Sequence, residues 1–189
     1  YSKLSKLTID LSSIHSIGEC CFKDCCTLAE VSLPNSLSRI ESGCFIKCTS
    51  LKKISIPDSV SFIGCASFKG CSMLEEIQIP HSLTYIGTTA FGDCISLREI
   101  SIPQLIERIK SDTFKGCFNL QEIKISNSVK YIESGCFKGC TKLKRIAIPP
   151  SVEKIGSYCF EDCSELVDIN ICDSIKLIES GTFSKCSSL

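Results

Sequence analysis

Hydrophobic positions recur along this chain with a period of 23 residues that no insertion breaks. The most regular column is aromatic and comprises Phe22, Phe45, Phe68, Phe91, Phe114, Phe137, Phe160 and Phe183. A cysteine stands three residues after each of these, giving Cys25, Cys48, Cys71, Cys94, Cys117, Cys140, Cys163 and Cys186. Each cysteine is followed, three residues later, by a leucine, so three apolar columns run along the whole chain.

Each unit also contains a short alternating segment of the form L-x-x-[IV]-x-[IL]-P, as in residues 74–80. Alternation of apolar and polar residues is the period of a strand with one buried face. The proline of this segment lacks an amide donor and therefore suits the end of a strand. A Gly or an acidic residue often follows the next isoleucine, which predicts a second bend before the Phe. No stretch has the long 3.6-residue period of a helix, so we expect strands, turns and at most short helical turns.

A period of this length predicts a solenoid, because one unit cannot bury its own apolar face and needs stacked neighbours. We predict a β-rich solenoid with parallel strands about 4.8 Å apart. It would form a single domain over 1–189, with a partial repeat at 1–27 and seven repeats over 28–188. Because Leu189 opens another unit without a polar cap, we expect an excised segment or an open end covered by a partner or by end-to-end self-association.

The full pattern L-x-x-I-x-I-P-x-S-[VL]-x-x-I-[GE]-x-x-x-F-x-x-C closely resembles the BspA-like, or Treponema pallidum type, class of leucine-rich repeats. Ser126 and Cys172 depart from it at the proline, Leu105 departs at the serine, and the first unit around residues 9–14 is one residue shorter. The resemblance implies a right-handed leucine-rich-repeat superhelix. It also implies a place in surface proteins of bacteria and anaerobic protozoan parasites such as trichomonads and amoebae, where these repeats are associated with adhesion to host proteins and cells.

The function implied by this resemblance is protein binding by a cell-surface or secreted adhesin or antigen. Its partner would be a host extracellular-matrix or cell-surface protein. A cytoplasmic scaffold for protein–protein interaction, using the same surface, is the alternative. Cysteine usage alone does not decide between the two locations.

Charge and hydropathy exclude several other classes of function. Lys plus Arg and Asp plus Glu both number 21, so no global field attracts the chain to nucleic acid or to anionic lipid. No run of about 18 apolar residues is present, and we therefore expect no membrane span in this segment.

The 16 cysteines suggest a disulfide framework at first sight. However, strand-like stacking near 4.8 Å does not match the separation of about 3.8 Å between β-carbons that a disulfide prefers. We therefore predict that the cysteine column consists of small, buried free thiols with weak donor character. A position just before the Phe requires a small residue and holds Cys21, Cys44, Cys136 and Cys159. The remaining four, Cys20, Cys26, Cys65 and Cys172, are irregular, and an occasional bridge among them stays open.

A zinc site is the alternative for the first cysteines, because Cys21, Cys25, Cys44 and Cys48 have a spacing compatible with four thiolate ligands. The column cysteine also occurs in units without a second cysteine, which favours a structural role. We predict neither a metal nor a cofactor.

Residues for catalysis are scarce. The only histidines, His15 and His81, lie about three repeats apart at variable positions that suit the surface. No phosphate-binding glycine loop, zinc-protease helix or nucleophile elbow is present. We therefore expect a binding protein and not an enzyme.

The outward positions that flank the inner isoleucine of each strand form the first candidate binding surface. If the strands line a concave face, as they do in leucine-rich repeats generally, this surface presents Glu76, Gln78, Glu99, Glu122 and Lys124. It is either a solvated charged face or a mildly acidic groove for a basic partner segment.

A second outward column precedes the later isoleucine and includes Phe62, Tyr85, Arg108 and Tyr131. Aromatic and arginine side chains are enriched in binding hot spots, so this column is a second candidate for protein contacts. Stacking of rings and guanidinium groups between neighbouring coils is the alternative, and it requires no partner.

Overall fold

The structure, a computed structural model, describes residues 5–8 and 13–189. The described residues form strands, turns and bends without a helix, as the sequence predicted. The irregular first unit, residues 9–14, lies largely outside the described residues. In chain order the strands are β1 (Lys6–Thr8), β2 (Ser16–Ile17), β3 (Glu30–Ser32), β4 (Arg39–Ile40), β5 (Lys53–Ser55), β6 (Phe62–Ile63), β7 (Glu76–Gln78), β8 (Tyr85–Ile86), β9 (Glu99–Ser101), β10 (Arg108–Ile109), β11 (Glu122–Lys124), β12 (Tyr131–Ile132), β13 (Arg145–Ala147), β14 (Lys154–Ile155) and β15 (Asp168–Asn170).

Strands of successive coils pair in parallel and in register, so equivalent residues of neighbouring units lie side by side. The odd-numbered strands form a sheet in the order β1-β3-β5-β7-β9-β11, followed by the pair β13-β15. The even-numbered strands form the sheets β2-β4-β6-β8 and β10-β12-β14. Ile54, for example, is paired with Ile77, the equivalent residue of the next unit. These parallel ladders confirm the predicted solenoid with a repeat of 23 residues.

The aromatic column forms the centre of the core. The six rings from Phe45 to Phe160 are completely buried. Neighbouring rings are stacked with centroids 5.3–5.7 Å apart, and Phe22 and Phe183 at the two ends are partly buried. Each coil therefore buries its ring against the coils on both sides.

The cysteine column is buried beside the rings and bonds each coil to the coil before it. The Cys94 thiol donates a hydrogen bond to the Phe68 carbonyl at 3.1 Å, and Cys117 does the same to Phe91 at 3.2 Å. Burial raises the pKa of the Cys48 and Cys163 thiols to about 12. Thiols with such pKa values remain protonated donors at neutral pH. The predicted small, weakly donating side chain is confirmed for the interior of this column.

The cysteines considered for zinc occupy different environments. Cys21 is exposed and Cys25 is partly buried, whereas Cys44 and Cys48 are buried. The Cys48 thiol donates to the Phe22 carbonyl at 3.1 Å, in the same way as the rest of the column. Across the part of the chain that the structure describes, no three His, Cys, Asp or Glu side chains are grouped so that they could hold a metal ion.

A column of serine hydroxyls forms a second set of bonds between coils. The Ser59 hydroxyl donates to the Leu37 carbonyl at 2.6 Å, and the Ser82 hydroxyl donates to the Val60 carbonyl at 2.7 Å. Equivalent bonds are made by Ser36, Ser128, Ser151 and Ser174. The hydroxyl thus holds the turn that follows each proline against the coil before it.

Leu105 replaces the serine in one coil, and its side chain is 54% exposed. The leucine has no hydroxyl to donate to the Leu83 carbonyl of the coil before. The even-numbered strands are divided at the same place, between β8 and β10. We infer that the missing hydroxyl loosens the backbone contact between these two coils.

Two positions in each coil have a left-handed backbone, one before and one after the Phe. They are occupied by glycine in some coils and by other residues elsewhere, for example Ala66, Thr89 and Tyr158. At Gly116 the φ angle is +73°, and an added β-carbon would lie 2.5 Å from an Asp93 carboxylate oxygen. These turns carry backbone strain wherever a residue with a β-carbon occupies them.

Candidate functional site

The outward side chains of the odd-numbered strands line an open groove of about 430 Å³. In β7, Ile77 is buried while Glu76 and Gln78 are exposed, and β9 and β11 repeat this pattern. Strand alternation therefore places the polar residues of three consecutive coils on one face. The groove contains all five residues predicted for the first surface, namely Glu76, Gln78, Glu99, Glu122 and Lys124.

The charge of this groove is dominated by a row of carboxylates. Glu76 is in register with Glu99, and Glu99 is in register with Glu122. Lys53 contacts Glu76 at 2.8 Å and Lys124 contacts Glu122 at 3.3 Å, but these pairs are highly exposed and contribute little. Among the described residues Glu99 has no ion-pair partner within 4.0 Å. Like charges directly opposite each other destabilise a sheet, so this row is not explained by the stability of the ladder.

Two further polar residues of the groove, Asp58 and His81, were not predicted from the sequence and lie in the turns after β5 and β7. Ser101, which belongs to the same outward column as Gln78 and Lys124, ends β9 and lines the groove as well. For Asp58 and His81 the sequence contained a signal, since the residue at this position of the turn varies between units and is polar in all of them except at Pro150. His81 is exposed, which confirms the predicted surface position, and His15 is exposed as well.

The second predicted column lies on the even-numbered strands and does not line the groove. Phe62 and Tyr85 stack with centroids 4.8 Å apart and planes 4° from parallel. The guanidinium of Arg39 lies 3.8 Å from the Phe62 ring centroid, and that of Arg108 lies 4.1 Å from the Tyr131 ring centroid. The rings of Phe62, Tyr85 and Tyr131 are partly buried. These contacts are the ones expected if rings and guanidinium groups stack between neighbouring coils. A role of this column in binding a partner stays a prediction.

A stack of in-register coils with a polar, charged groove across its strands defines a protein-binding repeat module. Among the described residues no helix has the length and apolar character needed to cross a membrane. The chain belongs to the BspA-type leucine-rich repeat family, whose model matches residues 1–121 and 62–189 in six copies. Leucine-rich-repeat proteins of this kind are typically binding modules and not enzymes.

Solved structures agree with this assignment. A leucine-rich repeat protein of T. pallidum is 33% identical, with a TM-score of 0.69 over 74% of this chain and 65% of that one. A leucine-rich cell surface protein of Faecalibacterium prausnitzii is 27% identical, with a TM-score of 0.62 over 98% of this chain and 58% of that one. The pneumococcal vaccine antigen PcpA shares the fold at 18% identity, with a TM-score of 0.54 over 92% of this chain and 56% of that one. No curated protein matches the sequence.

The chain is shorter than these structures and spans 65% of the first and 58% of the second. It therefore corresponds to a part of the length of its relatives.

Proposed function

We propose that this chain is the ligand-binding repeat region of a cell-surface adhesin or antigen, and that it contacts a host extracellular-matrix or cell-surface protein. The observation that carries the proposal is the groove in which Glu76, Glu99 and Glu122 stand in register on three consecutive coils. The relatives described as a cell surface protein and as a vaccine antigen support the location. The role is non-enzymatic.

The groove suits a partner with a basic surface. The residues that line it and the adjoining depression include the carboxylates of Asp58, Glu75, Glu76, Glu99 and Glu122. The cations there are Lys124 and Arg98, so the carboxylates exceed the cations by three. Complementary charge favours encounter and orientation of a partner and weakens as salt is added.

The proposal is tested by a binding screen against host matrix and cell-surface proteins, measured by surface plasmon resonance. A variant with Glu76→Gln, Glu99→Gln and Glu122→Gln should weaken binding by at least about tenfold, as expected for a central charged patch. The control variant neutralises three exposed acids outside the groove, Glu19→Gln, Glu107→Gln and Asp173→Asn. Equal binding by both variants and the native chain would refute the role of the groove.

The second column is tested in the same screen. Replacement of Tyr85 and Arg108 by Ala should weaken binding if the partner also covers Phe62 and Tyr131. If binding is unchanged while thermal stability falls, the column serves only the stacking of the coils.

A cytoplasmic interaction scaffold is the second candidate, supported by the buried free thiols, which suit a reducing environment. Labelling of intact cells with a membrane-impermeant reagent separates the two locations.

End-to-end self-association remains a further prediction. It is tested by light scattering over a range of concentrations.

A further inference from the structure

Three apolar side chains are exposed on consecutive bends beside the groove. Met73, Ile95 and Phe118 are 41%, 38% and 48% exposed. Each stands between the column cysteine of its coil and the next leucine, where the chain turns into β7, β9 or β11. We call these three residues the lip. The bends before and after them, residues 49–50 and 141–142, are polar.

In several coils, including that of Met73, the bend residue directly after the cysteine bonds to the coil before. The Thr49 hydroxyl donates to the Cys26 carbonyl at 3.4 Å, Ser72 donates to Thr49 at 3.4 Å, and Thr141 donates to Phe118 at 3.2 Å. Ile95 occupies the same position and has no hydroxyl. Phe118 also occupies it, and the Ile95 carbonyl receives a hydrogen bond from the Asn119 amide at 2.8 Å instead.

Hydrogen bonding between coils therefore does not explain Ile95 and Phe118. At Ile95 and Phe118 the chain replaces a residue that could bond between coils with an exposed apolar side chain. Single exposed apolar residues are ordinary, but a group on adjacent coils marks an interaction surface. The lip is not part of any repeating apolar column, because its residues stand where polar columns are interrupted.

The charge next to the lip indicates what covers it. The glutamate of each coil follows within three or four residues, at Glu76 after Met73, at Glu99 after Ile95 and at Glu122 after Phe118. Even a fully extended chain spans at most about 10–14 Å over three or four residues, so each pair lies within the reach of one docked peptide segment. Apolar contact at the lip and carboxylates in the groove are together complementary to a basic segment that carries apolar side chains.

We propose that the lip and the groove bind one protein segment, in which large apolar side chains contact Met73, Ile95 and Phe118 while adjacent lysine or arginine side chains face Glu76, Glu99 and Glu122. This inference rests on the proposed function and adds the chemistry of the partner to it. The apolar side chains anchor the segment, and the charges set its orientation.

The experiment measures binding of short fluorescein-labelled peptides by fluorescence anisotropy. The first probe alternates lysine with leucine and phenylalanine, the second alternates lysine with serine, and the third alternates glutamate with leucine and phenylalanine.

The lip variant combines Ile95→Thr and Phe118→Thr, which introduces the hydroxyl that other coils use at this bend. It should fold with a Tm equal to or above that of the native chain. The matched control is Val167→Ser, which removes an apolar side chain that is 52% exposed in another coil.

We expect saturable binding of the lysine and leucine–phenylalanine probe alone, and at least about tenfold weaker binding to the lip variant, with no change in the control. Absence of saturable binding, equal binding of the lysine–serine probe, or native affinity in the lip variant would overturn the inference. If the lip variant binds normally but neutralisation of Glu76, Glu99 and Glu122 abolishes binding, the lip fails while the proposed groove stands. A native chain that dimerises, together with a monomeric lip variant, would assign the surface to a second copy and also overturn the inference.

Discussion

Alkaline pH should unfold this protein because its core contains nine buried cysteines. Burial raises the pKa of every one of these thiols above the ordinary value of 9.0. Above pH about 9 the unfolded chain releases its thiol protons, whereas the folded chain retains them. The unfolded state then binds fewer protons, so the free energy of unfolding falls as pH rises.

The magnitude follows from the number of thiols. Each buried thiol costs about 1.4 kcal/mol of stability at one pH unit above its unfolded pKa, and a similar amount for each further unit. Nine thiols therefore cost about 12 kcal/mol at pH about 10, which is comparable with the whole stability of an ordinary domain. We expect a cooperative loss of structure near this pH, and full stability from the thiols below pH about 8.

The assay is urea unfolding followed by circular dichroism at several pH values, with thiolate absorbance recorded in parallel. A matched variant, Cys94→Ala, removes one buried thiol and leaves the ionisable surface groups in place. Its free energy of unfolding should decline less steeply, by about 1.4 kcal/mol per pH unit above pH about 9. Identical slopes for the two proteins, or thiolates that form while the fold persists, would refute the reasoning.

Three further predictions concern thermal and urea unfolding. Phe91→Ala should lower the free energy of unfolding by about 3–5 kcal/mol, because this buried ring stacks on both neighbours at 5.5 and 5.6 Å; a loss below about 1 kcal/mol would contradict a packed column. Leu105→Ser should raise it by about 1 kcal/mol by supplying a donor to the Leu83 carbonyl, and a lower Tm would argue against the hydroxyl column. Thr89→Gly should raise it by up to about 1 kcal/mol, because a β-branched residue there has a φ of +58°; Thr88→Gly is the control and should not stabilise.

The sequence predicted the parts of the fold that depend on repetition. The columns containing Phe91 and Cys94 recur without interruption, so their stacking followed from the period alone. The polar face of β7, β9 and β11 followed from strand alternation, and the predicted groove residues Glu76, Glu99 and Glu122 do line one groove.

Other features depend on local geometry that residue types do not reveal. The left-handed positions hold residues as different as Ala66, Thr89 and Gly116, because the surrounding coils impose the conformation. The division between β8 and β10 coincides with the missing hydroxyl at Leu105. His81 joins the groove through the course of the turn after Pro80, which the pattern did not specify.

The uniform register of the coils has a consequence for how such a gene can change. Since the surface that one interior coil offers to its neighbour is nearly the same as the surface offered by any other, removal of one whole 23-residue unit would rejoin compatible partners. The solenoid would become shorter by about 4.8 Å, and its core would continue without a gap. Unequal recombination between units can therefore alter the length of the solenoid and bring distant groove residues side by side. A deletion of any other size would shift the Phe rings and Cys thiols out of register with those of the neighbouring coils.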